Sequence, residues 1–252
     1  MDWKCKKLKK NLSMEINWNY IKVIGLFIAV IGLYAFSNQR SAKKKIKEIQ
    51  IEFVGDQNLY ITEGMVNKLL IQNYGSLTNV PKEKLVLNTI EKVIEANKMV
   101  KSAQVYLTVN GELATKIVQR KPIGRIEGSS KFYLDDEGKR MPLSMSHSAR
   151  VPIITGNITG KSLEDVYEIL KYINEDEFLR KNVIGIHVEA ENDYQLKFRM
   201  EQFVVNLGGI DSLEEKFNNF KAFYAKANKD KTLAAYNVVS LEFNNQVVCT
   251  KI

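Results

Sequence analysis

Cysteine and histidine are scarce in these 252 residues, with two of each: Cys5, Cys249, His147 and His187. Two thiols leave no disulfide framework to read. Neither histidine has a metal-ligand partner at helical or hairpin spacing. Phosphate-cradling glycine-rich loops are missing. Ser144 and Ser146 lie beside His147 but lack the glycine pattern of a nucleophile elbow. Asp135-Asp136-Glu137-Gly138 lacks the alternating oxygen ligands of a calcium loop, and its residue types suit a β-turn for local reasons. The sequence therefore predicts no enzyme, metal, cofactor or small-molecule substrate. Low-complexity tracts and repeats are absent too. A composition of 45% hydrophobic and 26% charged residues belongs to a chain that folds around ordinary cores.

Charge of one sign is also in short supply. The net charge is +8. Residues 1–36 contribute half of it, with six lysines against Asp2 and Glu15, and the remaining residues are only mildly basic. That balance argues against nucleic acid as a partner.

What stands out is one long apolar run, IKVIGLFIAVIGLYAF at residues 21–36. Its uncharged core, Val23 to Phe36, would span about 21 Å as a helix, short of a hydrocarbon layer of roughly 30 Å. Counted from Trp18 to Ser37 it makes a full crossing. Trp18, Tyr20 and Tyr34 then sit where interfacial aromatics are favoured, and Lys22 reaches the headgroups along its apolar stem. A retained membrane helix over residues 21–37 is the expectation, behind a tail of residues 1–20. A cleaved signal ending near Ala35-Phe36-Ser37 and a buried core helix are the rivals. Lys4, Lys6, Lys7, Lys9 and Lys10 precede the run, and Arg40, Lys43, Lys44, Lys45 and Lys47 follow it, so charge alone does not orient it. A short inside tail and a large outside domain is the simpler topology. A membrane would then separate Cys5 from Cys249 and leave Cys249 a free thiol.

Residues 46–122 read as one unit. Ile49, Ile51 and Phe53 alternate as a strand. Gly55-Asp56 ends it. Thr62 is placed to cap a helix carrying Met65, Val66, Leu69 and Leu70. Pro81 suits the first turn of a second helix with Leu87, Ile90 and Ile94 on its apolar face. Ala103, Val105, Leu107 and Val109 alternate up to Asn110-Gly111, a type I′ hairpin signal, and Leu113, Thr115 and Ile117 return. The order is β-α-α-β-β, two helices on a three-stranded sheet.

Residues 123–252 read as a mixed α/β unit with an extended antiparallel sheet, which makes the whole chain α+β. Ser162-x-x-Asp165 opens a helix with Leu163, Val166, Leu170 and Ile173. Strands follow at Ile184-Ile186-Val188, at Tyr194-Leu196-Phe198-Met200 and at Phe203-Val205-Leu207. Gly208-Gly209 breaks the last of them. Ser212-x-x-Glu215 opens a helix whose stripe of Leu213, Phe217, Phe220 and Tyr224 belongs in a core. Tyr236 to Phe243 and Gln246 to Lys251 are the final strands, joined at Asn244-Asn245. A strand so near the terminus is expected at a sheet edge, with free N–H and C=O groups.

The β-α-α-β-β order after a single anchor resembles a POTRA domain. Gln119-Arg120-Lys121-Pro122-Ile123-Gly124 resembles the Glu-Arg-x-Pro-Ile-Ala segment that leaves this unit in the bacterial cell-division family FtsQ, also called DivIB. Gln119 stands in place of the glutamate. Arg120, Lys121 and Pro122 form the domain junction, and Arg120-Lys121 reads as a solvated strand end. Phe132 to Gly138 resembles the family's lDxxG turn. Val151 to Gly156 resembles its lPxixG strand, and Val239 to Phe243 its vDLRf strand. The resemblance implies a non-enzymatic, single-pass division scaffold of the cell inner membrane, at the division septum. Its N-terminus would be cytoplasmic and its folded part periplasmic. The implied partners are small bitopic coiled-coil division proteins of the FtsB/DivIC and FtsL types, with the septal peptidoglycan synthase downstream. Capture would be by strand addition along Tyr236, Phe243, Gln246, Val247, Val248, Cys249 and Thr250. The alternative is a POTRA-type periplasmic chaperone or secretion and outer-membrane assembly component that adds client strands to its first sheet.

Overall fold

The structure, a computed structural model, describes residues 18–42, 45–55, 59–78, 80–82, 85–190, 193–243 and 245–252. Lys4 to Lys10, Cys5, Lys43, Lys44, Asp56, Asn244 and the side chain of Arg40 lie outside the described residues. Helix α1 (Trp18–Ala42) starts three residues before the expected span. It is long and apolar enough over Trp18–Gln39 to cross a membrane. None of that stretch is buried against the rest of the chain, so it is not a core helix. Trp18, Tyr20 and Tyr34 are exposed near its two ends, and Lys22 is exposed beside Tyr20.

Next come β1 (Ile49–Val54), α2 (Glu63–Tyr74), α3 (Leu87–Glu95), β2 (Val100–Leu107) and β3 (Leu113–Gln119). The sheet order is β1-β3-β2, with β1 parallel and β2 antiparallel to β3. Thr62 caps α2 as its residue type demands, its hydroxyl accepting from the Met65 N–H at 3.4 Å. Gly75 closes the helix at φ +70°, the left-handed region open to glycine. Val66, Leu70, Ile90, Ile94, Val105, Leu113 and Ile117 fill the core, whereas Met65 faces solvent. Two local expectations fail. Pro81 bridges to Lys45 and is followed at Lys82 by a 3-10 turn, in which the Leu85 N–H donates to the Lys82 carbonyl at 3.3 Å, and α3 begins only at Leu87. The hairpin is not type I′, because Asn110 keeps a negative φ. Thr108 and Glu112 pair across a three-residue loop. The Gly111 N–H returns to the Thr108 carbonyl at 3.1 Å, and Gly111 takes the positive φ.

The second unit holds β4 (Pro122–Glu127), β5 (Lys131–Asp135), β6 (Arg140–Met141), β7 (Ile153–Gly156), α4 (Gly160–Glu175), α5 (Glu177–Asn182), β8 (Val183–Ala190), β9 (Asp193–Phe198), β10 (Val204–Gly208), α6 (Leu213–Lys229), β11 (Tyr236–Ser240) and β12 (Val248–Lys251). They form one nine-stranded sheet in the order β12-β11-β10-β9-β8-β7-β4-β5-β6. The sheet is mixed: β4–β7, β7–β8 and β10–β11 are parallel and the other pairings antiparallel. Its core takes Val166, Leu170 and Ile173 from α4 and Phe217 and Phe220 from α6, and Phe220 packs on Phe198 and Phe203. The aromatic stripe is therefore core.

The cap of α4 is Thr159, three residues before the expected start. Thr159 and Ser162 form a reciprocal capping box, so Ser162 lies inside the helix. Asp165 accepts from the buried Tyr194 hydroxyl at 2.6 Å. Ser212 does occupy the cap position of α6, but at φ +54° and with no side-chain cap bond. A register shift between Val183 and Gly185 turns Ile184 outward, although Ile186 and Val188 stay buried. Met200, beyond the end of β9, is exposed.

Candidate functional site

Strand β12 lies at one margin of the nine-stranded sheet. It pairs antiparallel with β11 through Tyr236↔Lys251, Val238↔Thr250, Val239↔Cys249 and Ser240↔Val248. Strand β11 in turn lies parallel to β10. Among the described residues nothing pairs with the far side of β12, so a row of backbone donors and acceptors faces outward. The strand is shorter than the sequence suggests. Strand β11 stops at Ser240, because the Leu241 side chain turns into the core while its N–H still bonds the Asn206 carbonyl at 2.8 Å. Phe243, Gln246 and Val247 therefore belong to the connection, where Asn245 adopts φ +58°. Tyr236 sits on β11 and not on the rim.

The side chains along β12 divide between two faces. Val247 and Cys249 pack against the main core, and burial raises the Cys249 thiol pKa, which keeps it protonated. Val248 and Thr250 point the other way, and Val248 is 43% exposed. Of the residues expected along this rim, Val248, Thr250 and the half-exposed Phe243 present their side chains to solvent, and Val247 and Cys249 do not. Strand parity could have revealed that division.

The first sheet offers its edges differently. On β2 the outward N–H groups of Ala103 and Val105 donate to Glu95 at 3.0 Å and Glu91 at 2.8 Å. Glu91 and Glu95 are one helical turn apart on α3, so their carboxylates stand in for a neighbouring strand.

The junction between the units is densely bonded. The Gln119 amide is buried, accepts from the Tyr60 and Ile61 N–H groups at 3.0 and 3.4 Å, and donates to the Ile61 carbonyl at 2.9 Å. A carboxylate could not make that last bond. Arg120 is not a solvated strand end. Its guanidinium donates at 2.7 Å to Asp135, whose side chain is fully buried, and the Arg120 side chain is 13% exposed. Asp135 also accepts from the Glu137 and Lys139 N–H groups. Lys101 of β2 reaches Asp136 and Glu137, both at 3.2 Å. Hydrogen bonds from Lys139 and Lys101 pull the Glu137 carboxyl down to about 2. For Lys101 burial opposes the charge, but hydrogen bonds to Asp136 and Glu137 outweigh it and raise the ammonium pKa.

Lys121 remains exposed, and its carbonyl accepts from the Asp136 N–H at 3.0 Å. Pro122, with no N–H to give, starts β4 opposite Asp135 beside a register shift. Tyr60 packs against Tyr133 and edge-on to His147, and the Ser144 hydroxyl donates to its carbonyl at 2.9 Å. Ser144 and His147 thus help hold the junction. Gly124 occupies the motif position where the family carries alanine, and the space of its missing Cβ is filled by the Leu170 methyls.

A family model described as FtsQ/DivIB, C-terminal related, matches residues 121–250, just over half of the chain. A model described as a POTRA-like domain matches residues 44–118. No curated protein matches the chain. The second match covers the β-α-α-β-β unit and the first covers the nine-stranded sheet, and the chain, with an anchor-length apolar helix ahead of both, belongs to the FtsQ/DivIB family of cell-division proteins.

Proposed function

We propose that this protein is a non-enzymatic scaffold of the division septum, held in the inner membrane by α1 and binding its partners along β12. In this reading residues 1–20 are cytoplasmic, and the units 46–122 and 123–252 work in the periplasm. The partners are FtsB/DivIC-type and FtsL-type coiled-coil proteins, through which the scaffold meets the septal peptidoglycan synthase. The observation that carries the reading is the vacant outer side of β12. An added strand gains main-chain hydrogen bonds there, and Val248, Thr250 and Phe243 set its register. Confinement to the membrane raises the effective concentration toward other anchored partners.

A pull-down tests it. Full-length protein carrying Thr250→Pro, which removes a backbone donor and resists pairing, should lose a coiled-coil division partner that the parent retains. Undiminished capture sinks the rim assignment. The rival reading, client-strand addition to the first sheet, meets an obstacle at β2, where Glu91 and Glu95 already hold two outward donors. Capture of unfolded outer-membrane proteins, unaffected by Thr250→Pro, would favour that rival.

A further inference from the structure

We propose that the groove between the two units, far in sequence from β12, binds an acidic, partly apolar peptide segment of a partner protein. The groove holds about 390 Å³ and draws walls from both units. Leu59 and Tyr60 come from the segment before α2, and the opposite wall comes from β4, the stretch before β7, and helices α4 and α5. Its floor is apolar: Pro122, Ile123, Val151, Leu170 and Ile173. Its polar lining is lopsided. Arg150, Arg180 and His147 line it, and no aspartate or glutamate does.

Among the described residues neither guanidinium group makes an ion pair, although Glu177, three positions back on α5, acts on Arg180 electrostatically. Arg180 donates to the Asn174 carbonyl at 3.4 Å. Neighbouring carboxylates are committed elsewhere. Asp176 holds Lys221 at 2.8 Å and Glu177 holds Lys181 at 2.6 Å. Across the junction Asp135 holds Arg120, and Asp136 and Glu137 hold Lys101. Two exposed guanidinium groups without an ion pair, beside apolar walls, make a local field that favours an anion. Guanidinium matches a planar carboxylate in two parallel hydrogen bonds. The volume lies near the small end of binding clefts and suits a few side chains. The complementary occupant carries carboxylates for Arg150 and Arg180 with an apolar side chain between them. A concave cleft walled on two sides admits a peptide segment more readily than a flat bilayer surface.

Fluorescence anisotropy tests this on the full-length chain in nanodiscs. The probe is a labelled heptapeptide alternating glutamate with leucine, and the control alternates glutamine with leucine. The acidic peptide should bind saturably and the control should not. Arg150→Glu with Arg180→Glu should weaken binding by at least ~10-fold, as should Arg150→Ala with Arg180→Ala if charge reversal disturbs folding. Thr250→Pro should leave it intact, which separates this site from the rim of β12. Equal binding of the two peptides, or parent-like binding by both double variants, overturns the proposal. So does arginine-dependent binding of phosphatidylglycerol vesicles with no binding of the acidic peptide.

Discussion

Gln119 ties the end of β3 to the segment ahead of α2 with one side chain that both accepts and donates. A glutamate there would retain the two acceptances, lose the bond to the Ile61 carbonyl and carry a buried charge. Gln119→Glu should lower stability by about 1–3 kcal/mol at neutral pH, read as a shift in the urea midpoint. The identity of residue 119 is visible in the sequence, but its task is not, because its partners lie 58 and 59 positions away. The same holds for Arg120 and Asp135. A basic residue at a strand end looks solvated until the Asp135 turn folds back beneath it. Thr62, by contrast, was legible, since an N-cap is satisfied within three residues.

Legibility at the scale of elements follows the same divide between local and distant causes. Helix α3 and the alternating strands β2 and β3 follow from periodicity alone. Strand β4 does not, because Pro122 and Gly124 weaken its strand signal and pairing with β5 and β7 supplies what propensity lacks. The pairing of α3 with the edge of β2 is tertiary, so Glu91 and Glu95 look like ordinary surface carboxylates in the sequence. Their removal tests their role. Glu91→Ala with Glu95→Ala should speed amide exchange at Ala103 and Val105 by about 10-fold or more relative to the rest of β2. Unchanged exchange at those two amides would mean that the carboxylates do not guard the edge.

Across the whole molecule, the two units are joined by ion pairs whose strength depends on pH. The folded Glu137 carboxyl is pulled from 4.5 to about 2, so its contribution is present above the ordinary glutamate value and fades as pH falls toward the folded one. The contact of Lys101 with Glu137, which crosses between the units, should hold near neutrality and weaken between those two values, as should that of Lys139 with Glu137 inside the second unit. An NMR titration of the Lys101 ammonium in detergent-solubilised protein should show its contact with Glu137 lost over that interval, with circular dichroism persisting; a contact that survives to about pH 2 would contradict it. The pair is partly exposed and screened, and the buried Arg120–Asp135 pair remains, so the change is local and the units stay joined. The link to α1 sets a second constraint. Helix α1 ends at Ala42, Lys45 already bridges to Pro81, and Ile46 is buried in the first core. Three residue steps reach about 11 Å at full extension. With α1 in the bilayer, the first unit has almost no headroom above the lipid surface. The protein is then a short post and not a float on a long line, and whatever reaches its first unit must meet it close to the lipid.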